Sequence, residues 1–158
     1  MDARETLIRL TRERSKSLIR AARCIPADKL TWKAAPGNRT ALDILQELAT
    51  IPGGLPEIVK NRKMTWTAED FARYQAEWAK LTNFEDLLAR IQAGTERIVA
   101  TITATDPALW GQKVETPWPV EYQVVDMLGY HLWNLSYHEG QLVYIQMALG
   151  VPTPFDQK

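Results

Sequence analysis

Apolar side chains recur at intervals of three and four residues along most of this chain, and the alternation typical of strands is nearly absent. Such spacing keeps residues on one face of a helix. The longest apolar row contains Val124, Leu128, His131, Leu135, His138, Leu142, Ile145 and Leu149. Both histidines of the chain stand in this row, although a buried ring nitrogen needs a hydrogen-bond partner. Either neighbouring groups satisfy these nitrogens, or the nitrogens face a polar cavity that has a function.

The same spacing predicts four long helices: residues 3–23, a second helix that begins after Thr40, residues 84–104 and residues 121–149. Pro52-Gly53-Gly54 should interrupt the second helix, which resumes over residues 55–59. A shorter helix is predicted to begin near Thr67, and residues 114–119 are predicted to form a loop. Four long helices joined by short pieces predict an all-α fold, an antiparallel four-helix bundle with extra short helices.

Length, charge and cysteine content narrow the class of protein. A chain of 158 residues is most simply one domain over residues 1–158. It carries 19 Lys and Arg against 19 Asp and Glu and has no basic patch, which argues against nucleic acid as a partner. Its apolar stretches are too short to span a membrane. Its one cysteine, Cys24, cannot form an internal disulfide, which favours the reducing cytoplasm.

The residues that could carry chemistry surround the second histidine. His131 and His138 are seven residues apart, about 10.5 Å along a helix, which is too far for them to share one small ion. Asn134 precedes His138 by one helical turn, and Glu47 stands at the edge of the apolar face of the second helix. Glu47 could instead reach solvent, and His138 could be a core histidine bonded to a carbonyl or a tyrosine. Gly140, inside the last helix, predicts close approach of another helix.

Three short motifs resemble those of the DinB/YfiT-like superfamily of small helical bundles. They are residues 30–37 (LTWKAAPG), residues 40–49 (TALDILQELA) and residues 138–142 (HEGQL), the last followed by Leu149-Gly150. The order and spacing of these motifs extend the resemblance over about residues 3–152. The resemblance implies an up–up–down–down bundle, frequent homodimers, and three histidines that bind a divalent metal such as zinc or nickel.

Carried onto this sequence, the resemblance implies Glu47, Asn134 and His138 as the metal ligands. Only one of the three is a histidine, so zinc should be held much less tightly than by three imidazoles. The same groups could instead bond to one another, with Glu47 accepting hydrogen bonds from both His138 and Asn134.

Three functions stay open at this point. The first is a DinB-like protein with a polar pocket that is metal-free or binds metal weakly, and that either holds a small ligand or is a relic without activity. The second is a metal-dependent enzyme of the thiol-S-transferase or hydrolase type, as some members of the superfamily are. The third is a metal-free enzyme that uses Glu47 and His138 as an acid–base pair, although no nucleophile accompanies them. No catalytic residue is assigned.

Overall fold

Helices dominate residues 2–156, the part of the chain that this computed structural model describes. The bounds are α1 Ala3–Arg23, α2 Ala41–Thr50, α3 Leu55–Asn61, α4 Ala68–Trp78, α5 Phe84–Ala104 and α6 Val124–Leu149. Two short strands, β1 Lys113–Val114 and β2 Tyr122–Gln123, form one antiparallel pair. The predicted all-α fold is confirmed, and no helix within residues 2–156 is both long and apolar enough to cross a membrane.

Local signals set where the helices begin and end. The Thr40 hydroxyl accepts a hydrogen bond from the Asp43 backbone N–H, and the Asp43 carboxylate accepts one from the Thr40 backbone N–H, so a capping box opens α2. Thr67 opens α4 in the same way. The backbone of Gly150 lies in the left-handed region at φ 68°, and this conformation ends α6.

Two apolar clusters form the core, one towards each end of the bundle. The first cluster combines the C-terminal half of α1, all of α2, the N-terminal half of α5 and the C-terminal half of α6; its members include Leu18, Ala22, Leu45, Leu48, Leu87, Ile91, Leu135 and Leu142. The second combines α3 with the C-terminal half of α5 and the N-terminal half of α6; its members include Leu55, Ile58, Ile98, Ile102, Val124 and Leu128.

The composition of these clusters fixes the helix directions. Along α2–α3 and along α5 the chain runs from the first cluster to the second, whereas along α6 it runs from the second to the first. Leu7 and Ile8 pack against the second cluster and Leu18 lies in the first, so α1 runs parallel to α6. The order is therefore up–down–down–up, and the expected up–up–down–down order is wrong. Because α2–α3 and α5 run in the same direction, the chain must return between them, and residues 62–83 with α4 make this crossover.

The segment before α6 differs from its prediction. The last helix begins at Val124 rather than at residue 121, because Tyr122 and Gln123 pair with β1 instead. Residues 115–121 connect the two strands; the predicted loop over residues 114–119 is confirmed except for Val114, which belongs to β1. The Glu115 backbone also bonds to Arg62 and Met64, which follow α3. These bonds bring the chain after α3 alongside the loop that carries Trp118, and together they form one side of the cavity described below.

Candidate functional site

The interior of the bundle joins Glu47 of α2 to His138 of α6. Glu47 Oε1 lies 3.0 Å from His138 Nε2. A carboxylate only accepts hydrogen bonds, so Nε2 carries a proton and donates it. His138 is fully buried, and the Glu47 side chain is 15% exposed. Glu47 therefore turns inward rather than reaching solvent, and two of the three predicted site residues are brought together.

Arg39, which the sequence did not indicate, holds the other oxygen of Glu47. Its Nη1 donates to Glu47 Oε2, and its Nη2 donates to the carbonyl oxygen of Asp43 at 2.8 Å. Burial alone would raise the pKa of Glu47. The hydrogen bond and charge of His138 and the charge of Arg39 outweigh burial and lower this pKa below its ordinary value. Glu47 is therefore a carboxylate that stays ionised.

The second ring nitrogen of His138 is also bound. Nδ1 lies 2.7 Å from Oε1 of Gln141, one turn further along α6. A glutamine amide can present its oxygen to a protonated Nδ1 or, turned over, its NH₂ group to an unprotonated one. Gln141 can thus hold the imidazole in the same place in either charge state.

Glu47 lines a cavity of about 520 Å³ that is otherwise mainly apolar. The lining residues are Glu47, Ile51, Leu55, Ile58, Met64, Trp66, Thr67, Ala68, Phe71, Trp78, Pro117, Trp118, Met127 and Tyr130. Among them Glu47 is the sole carboxylate, and no Lys, Arg or His is present. His138 and Asn134 do not line the cavity, so a molecule inside it meets the carboxylate first and not the imidazole.

Asn134, the third predicted site residue, is buried in α6 but is not part of this network. Its amide nitrogen has no hydrogen-bond partner in the described part of the chain. The expectation that Glu47 accepts from both His138 and Asn134 is therefore half right: the carboxylate bonds to His138 and to Arg39 instead.

Comparison with solved structures identifies the fold. A crystal structure of a DinB-like protein, YjoA from Bacillus subtilis, is similar to this chain with a TM-score of 0.67. The match covers 97% of this chain and 99% of that chain at 17% sequence identity. This chain has a DinB-like fold. No protein-family model and no curated protein matches the sequence.

The sequence resemblance implies a divalent metal bound by Glu47, Asn134 and His138. The described residues contain no group of three or more His, Cys, Asp or Glu side chains able to hold a metal ion. The ligand atoms of tetrahedral zinc lie about 3.3 Å apart, given bonds of about 2.0–2.1 Å. Glu47 Oε1 and His138 Nε2 lie 3.0 Å apart and are joined by a direct hydrogen bond.

The donor set opposes a metal as well. The remaining candidate ligand, Asn134, is a neutral amide, and its nitrogen bonds to neither Glu47 nor His138 in the described part of the chain. These three residues do not fit a tightly held zinc or nickel ion. Their assignment as metal ligands stays a prediction.

His131 belongs to a separate buried cluster between the two apolar clusters. Its Nε2 lies 2.9 Å from the hydroxyl of Thr95, which is itself 2.9 Å from the Ile91 carbonyl oxygen and 3.0 Å from the Ser15 hydroxyl. Nδ1 has no partner among the described residues. Burial lowers the pKa of His131 to about 4, so the ring is neutral at neutral pH and plays a structural role.

Sequence reasoning missed Arg39 and the place of Tyr130 in the cavity wall. Tyr130 stands one residue before His131 in α6 and lines the cavity on the side of Glu47. Burial, and to a lesser extent the charge of Glu47, raise the pKa of Tyr130, so its hydroxyl stays protonated. Trp66, Trp78 and Trp118 also line the cavity.

Proposed function

We propose that this DinB-like protein binds a small apolar molecule that carries a hydrogen-bond donor, an amine in the simplest case, in the cavity beside Glu47. No metal is needed for this binding. The observation that carries the proposal is one ionised carboxylate on the wall of an otherwise mainly apolar, aromatic cavity. Ligand sites typically combine an apolar lining with a few well-placed polar groups.

Glu47 has capacity left for a ligand. A carboxylate has about four acceptor positions, and His138 and Arg39 use one on each oxygen. Both partners also fix the direction of the carboxylate, which reduces the entropy lost on binding. An ammonium group would gain a charge-assisted hydrogen bond from Glu47 and favourable contact with the aromatic faces. A ligand carboxylate would meet a like charge in a partly desolvated site, so anions should be rejected.

The size of the cavity suits a compact ligand. About 520 Å³ lies within the range of small-molecule sites. The lining tryptophans, Trp66, Trp78 and Trp118, provide an intrinsic fluorescence signal for occupancy.

Localisation in the cytoplasm and a homodimeric state, both expected from the sequence, belong to the same proposal.

Calorimetric titration with benzylamine, benzyl alcohol and phenylacetate tests the ligand class. We expect benzylamine to bind most tightly and phenylacetate not to bind. Glu47→Gln keeps the shape but removes the charge, so it should weaken benzylamine about tenfold, equivalent to about 1.4 kcal/mol. Glu57→Gln is the matched control, because Glu57 is exposed on α3 and lies outside the cavity lining.

Two results would overturn the proposal. Equal benzylamine affinity in the wild type and Glu47→Gln would show that the carboxylate does not recognise the ligand. Stoichiometric zinc, nickel or iron in untagged protein, lost in His138→Ala, would instead favour the metal-dependent transferase or hydrolase.

A further inference from the structure

The exposed face of α6 carries no charge over most of its length. Only Asp126 and Glu139 are acidic in this helix, which has no Lys or Arg, and Glu139 is buried. From residue 127 to residue 149, about 34 Å of helix, the solvent side therefore offers no charged group. A helix that is apolar all round is normally covered on every side.

Large apolar side chains form a continuous row on this face. Trp133, Tyr137, Tyr144 and Met147 are spaced four, seven and three residues apart, and they are 57%, 53%, 58% and 68% exposed. The rings of Trp133 and Tyr137 stack with their centroids 5.5 Å apart. Nothing else in residues 2–156 covers them. We call these four residues together with Gly140 the α6 face.

No contact within the described part of the chain explains why position 140 is a glycine. A Cβ atom built there would meet nothing within 4 Å, and the same is true of Gly129 on the same side of α6. The sequence-based expectation that another helix of this chain approaches Gly140 is therefore wrong. Glycine in a helix interior is nevertheless unfavourable relative to alanine. The open space at Gly140 leaves room for the backbone of another molecule to approach closely.

We propose that a second copy of this chain covers the α6 face, with the two α6 helices crossing at Gly140 about a two-fold axis. This inference rests on the homodimer named under Proposed function and assigns its surface. A two-fold interface must be complementary to itself. The α6 face meets this requirement because its pattern is nearly symmetric about Gly140: Tyr137 and Tyr144 lie three residues before and four after it, and Trp133 and Met147 lie seven before and seven after.

Two antiparallel copies crossing at Gly140 pair the two halves of the α6 face. Trp133 of each copy reaches Met147 of the other, a sulfur–aromatic contact, and Tyr137 reaches Tyr144. No charge is brought against a like charge. The small Gly140 lets the helix backbones approach closely at the crossing point, as small residues do in other helix pairs.

The area is close to what a stable dimer needs. Large side chains present about 150–250 Å² each, so the exposed parts of the four side chains amount to about 450 Å² per copy. Two copies would bury about 900 Å² from these side chains alone. With the flanking Ser136 and Val143, the interface reaches roughly 1,000 Å², which is the lower limit for a specific complex.

The α6 face is also continuous with the candidate site. The Trp133 ring contacts Tyr130, which lines the cavity, and Tyr137 contacts His138 edge to face at 5.1 Å. A second copy on this face would therefore support the cavity wall from behind.

Sedimentation equilibrium of the wild type and Gly140→Lys tests the proposal. The wild type should have twice the chain mass of 18.0 kDa. Gly140→Lys places two like charges at the crossing point and should weaken association by at least about 100-fold. The substituted monomer has room to fold, because the site is open. Ala93→Lys, an equally exposed position on α5, is the matched control and should remain dimeric.

The outcomes separate the two levels of the proposal. A wild type that is monomeric at every concentration overturns both the homodimer and its surface. If it also binds lipid vesicles, the α6 face belongs to a membrane surface instead. A Gly140→Lys protein that stays as dimeric as Ala93→Lys leaves the homodimer standing and rejects the α6 face. Unchanged circular dichroism of Gly140→Lys would exclude misfolding as the cause of a loss.

Discussion

Replacing His131 should remove a defined part of the dependence of stability on pH. The imidazole is fully buried, its Nε2 lies 2.9 Å from the Thr95 hydroxyl, and its Nδ1 has no partner among residues 2–156. Protonating the ring would place an uncompensated charge in the core. For this reason burial lowers the pKa of His131 from 6.5 to about 4.

The sign and size of the effect follow from this shift. In the unfolded chain the ring takes up a proton near pH 6.5, whereas in the folded protein it does so only near pH 4. Folding stability from His131 is therefore fully present above pH 6.5, falls as the pH is lowered, and levels off below about pH 4. At about 1.4 kcal/mol per pH unit, the free energy of unfolding should fall by about 3 kcal/mol across this window.

Urea unfolding followed by circular dichroism between pH 7.5 and pH 4 measures the effect. His131→Gln retains an N–H donor for Thr95 but does not titrate, so its free energy of unfolding should fall less steeply than that of the wild type. The acidic groups and His138 are common to both proteins and cancel in the difference. If the difference in the free energy of unfolding between the wild type and His131→Gln stays constant from pH 7 to pH 4, the buried, unpaired Nδ1 is refuted.

The remaining predictions concern the links between helices and the metal question. Glu139→Gln should lower the free energy of unfolding by about 1–3 kcal/mol. The reason is that the buried Glu139 carboxylate accepts hydrogen bonds from Arg14 at 2.6 Å and from Ser17 at 2.5 Å. An unchanged free energy of unfolding in urea would contradict this prediction. Arg39→Met should raise the pKa of Glu47, because it removes a nearby positive charge. As the pH is lowered, benzylamine binding should therefore be lost at a higher pH than in the wild type. Glu47→His should strengthen zinc binding in calorimetry, because it adds an imidazole beside His138 and removes the partner of Arg39; unchanged affinity would mean that position 47 cannot reach a shared ion.

The helices were predictable because their signals are local. Residues 84–104 show the clearest case, since the predicted and observed bounds of α5 coincide. There an apolar row defines the buried face, and Asn83 accepts a hydrogen bond from Asp86 to begin the helix. Both signals lie within a few residues of the structure that they determine.

The order of the helices and the partners of Glu47 depend on distant residues and were not predictable in the same way. Arg39 lies in irregular chain just before the Thr40 cap, where no periodicity indicates the direction of its side chain. From spacing alone, Glu47 was as compatible with solvent as with the interior. Only the packing of α2 against α6 turns it towards His138, and this packing depends on the up–down–down–up order that the sequence reasoning did not find.

The arrangement of Glu47 in front of His138 favours recognition over proton transfer. A general base works best when its pKa is near the working pH, and the pKa of Glu47 is held below that of an ordinary glutamate. The His138 imidazole is buried, is bonded on both nitrogens and does not line the cavity. A ligand therefore meets a weak base whose charge is stable, which can hold a donor but abstracts a proton poorly. For this reason the structure favours a ligand-binding function over that of a metal-free acid–base enzyme.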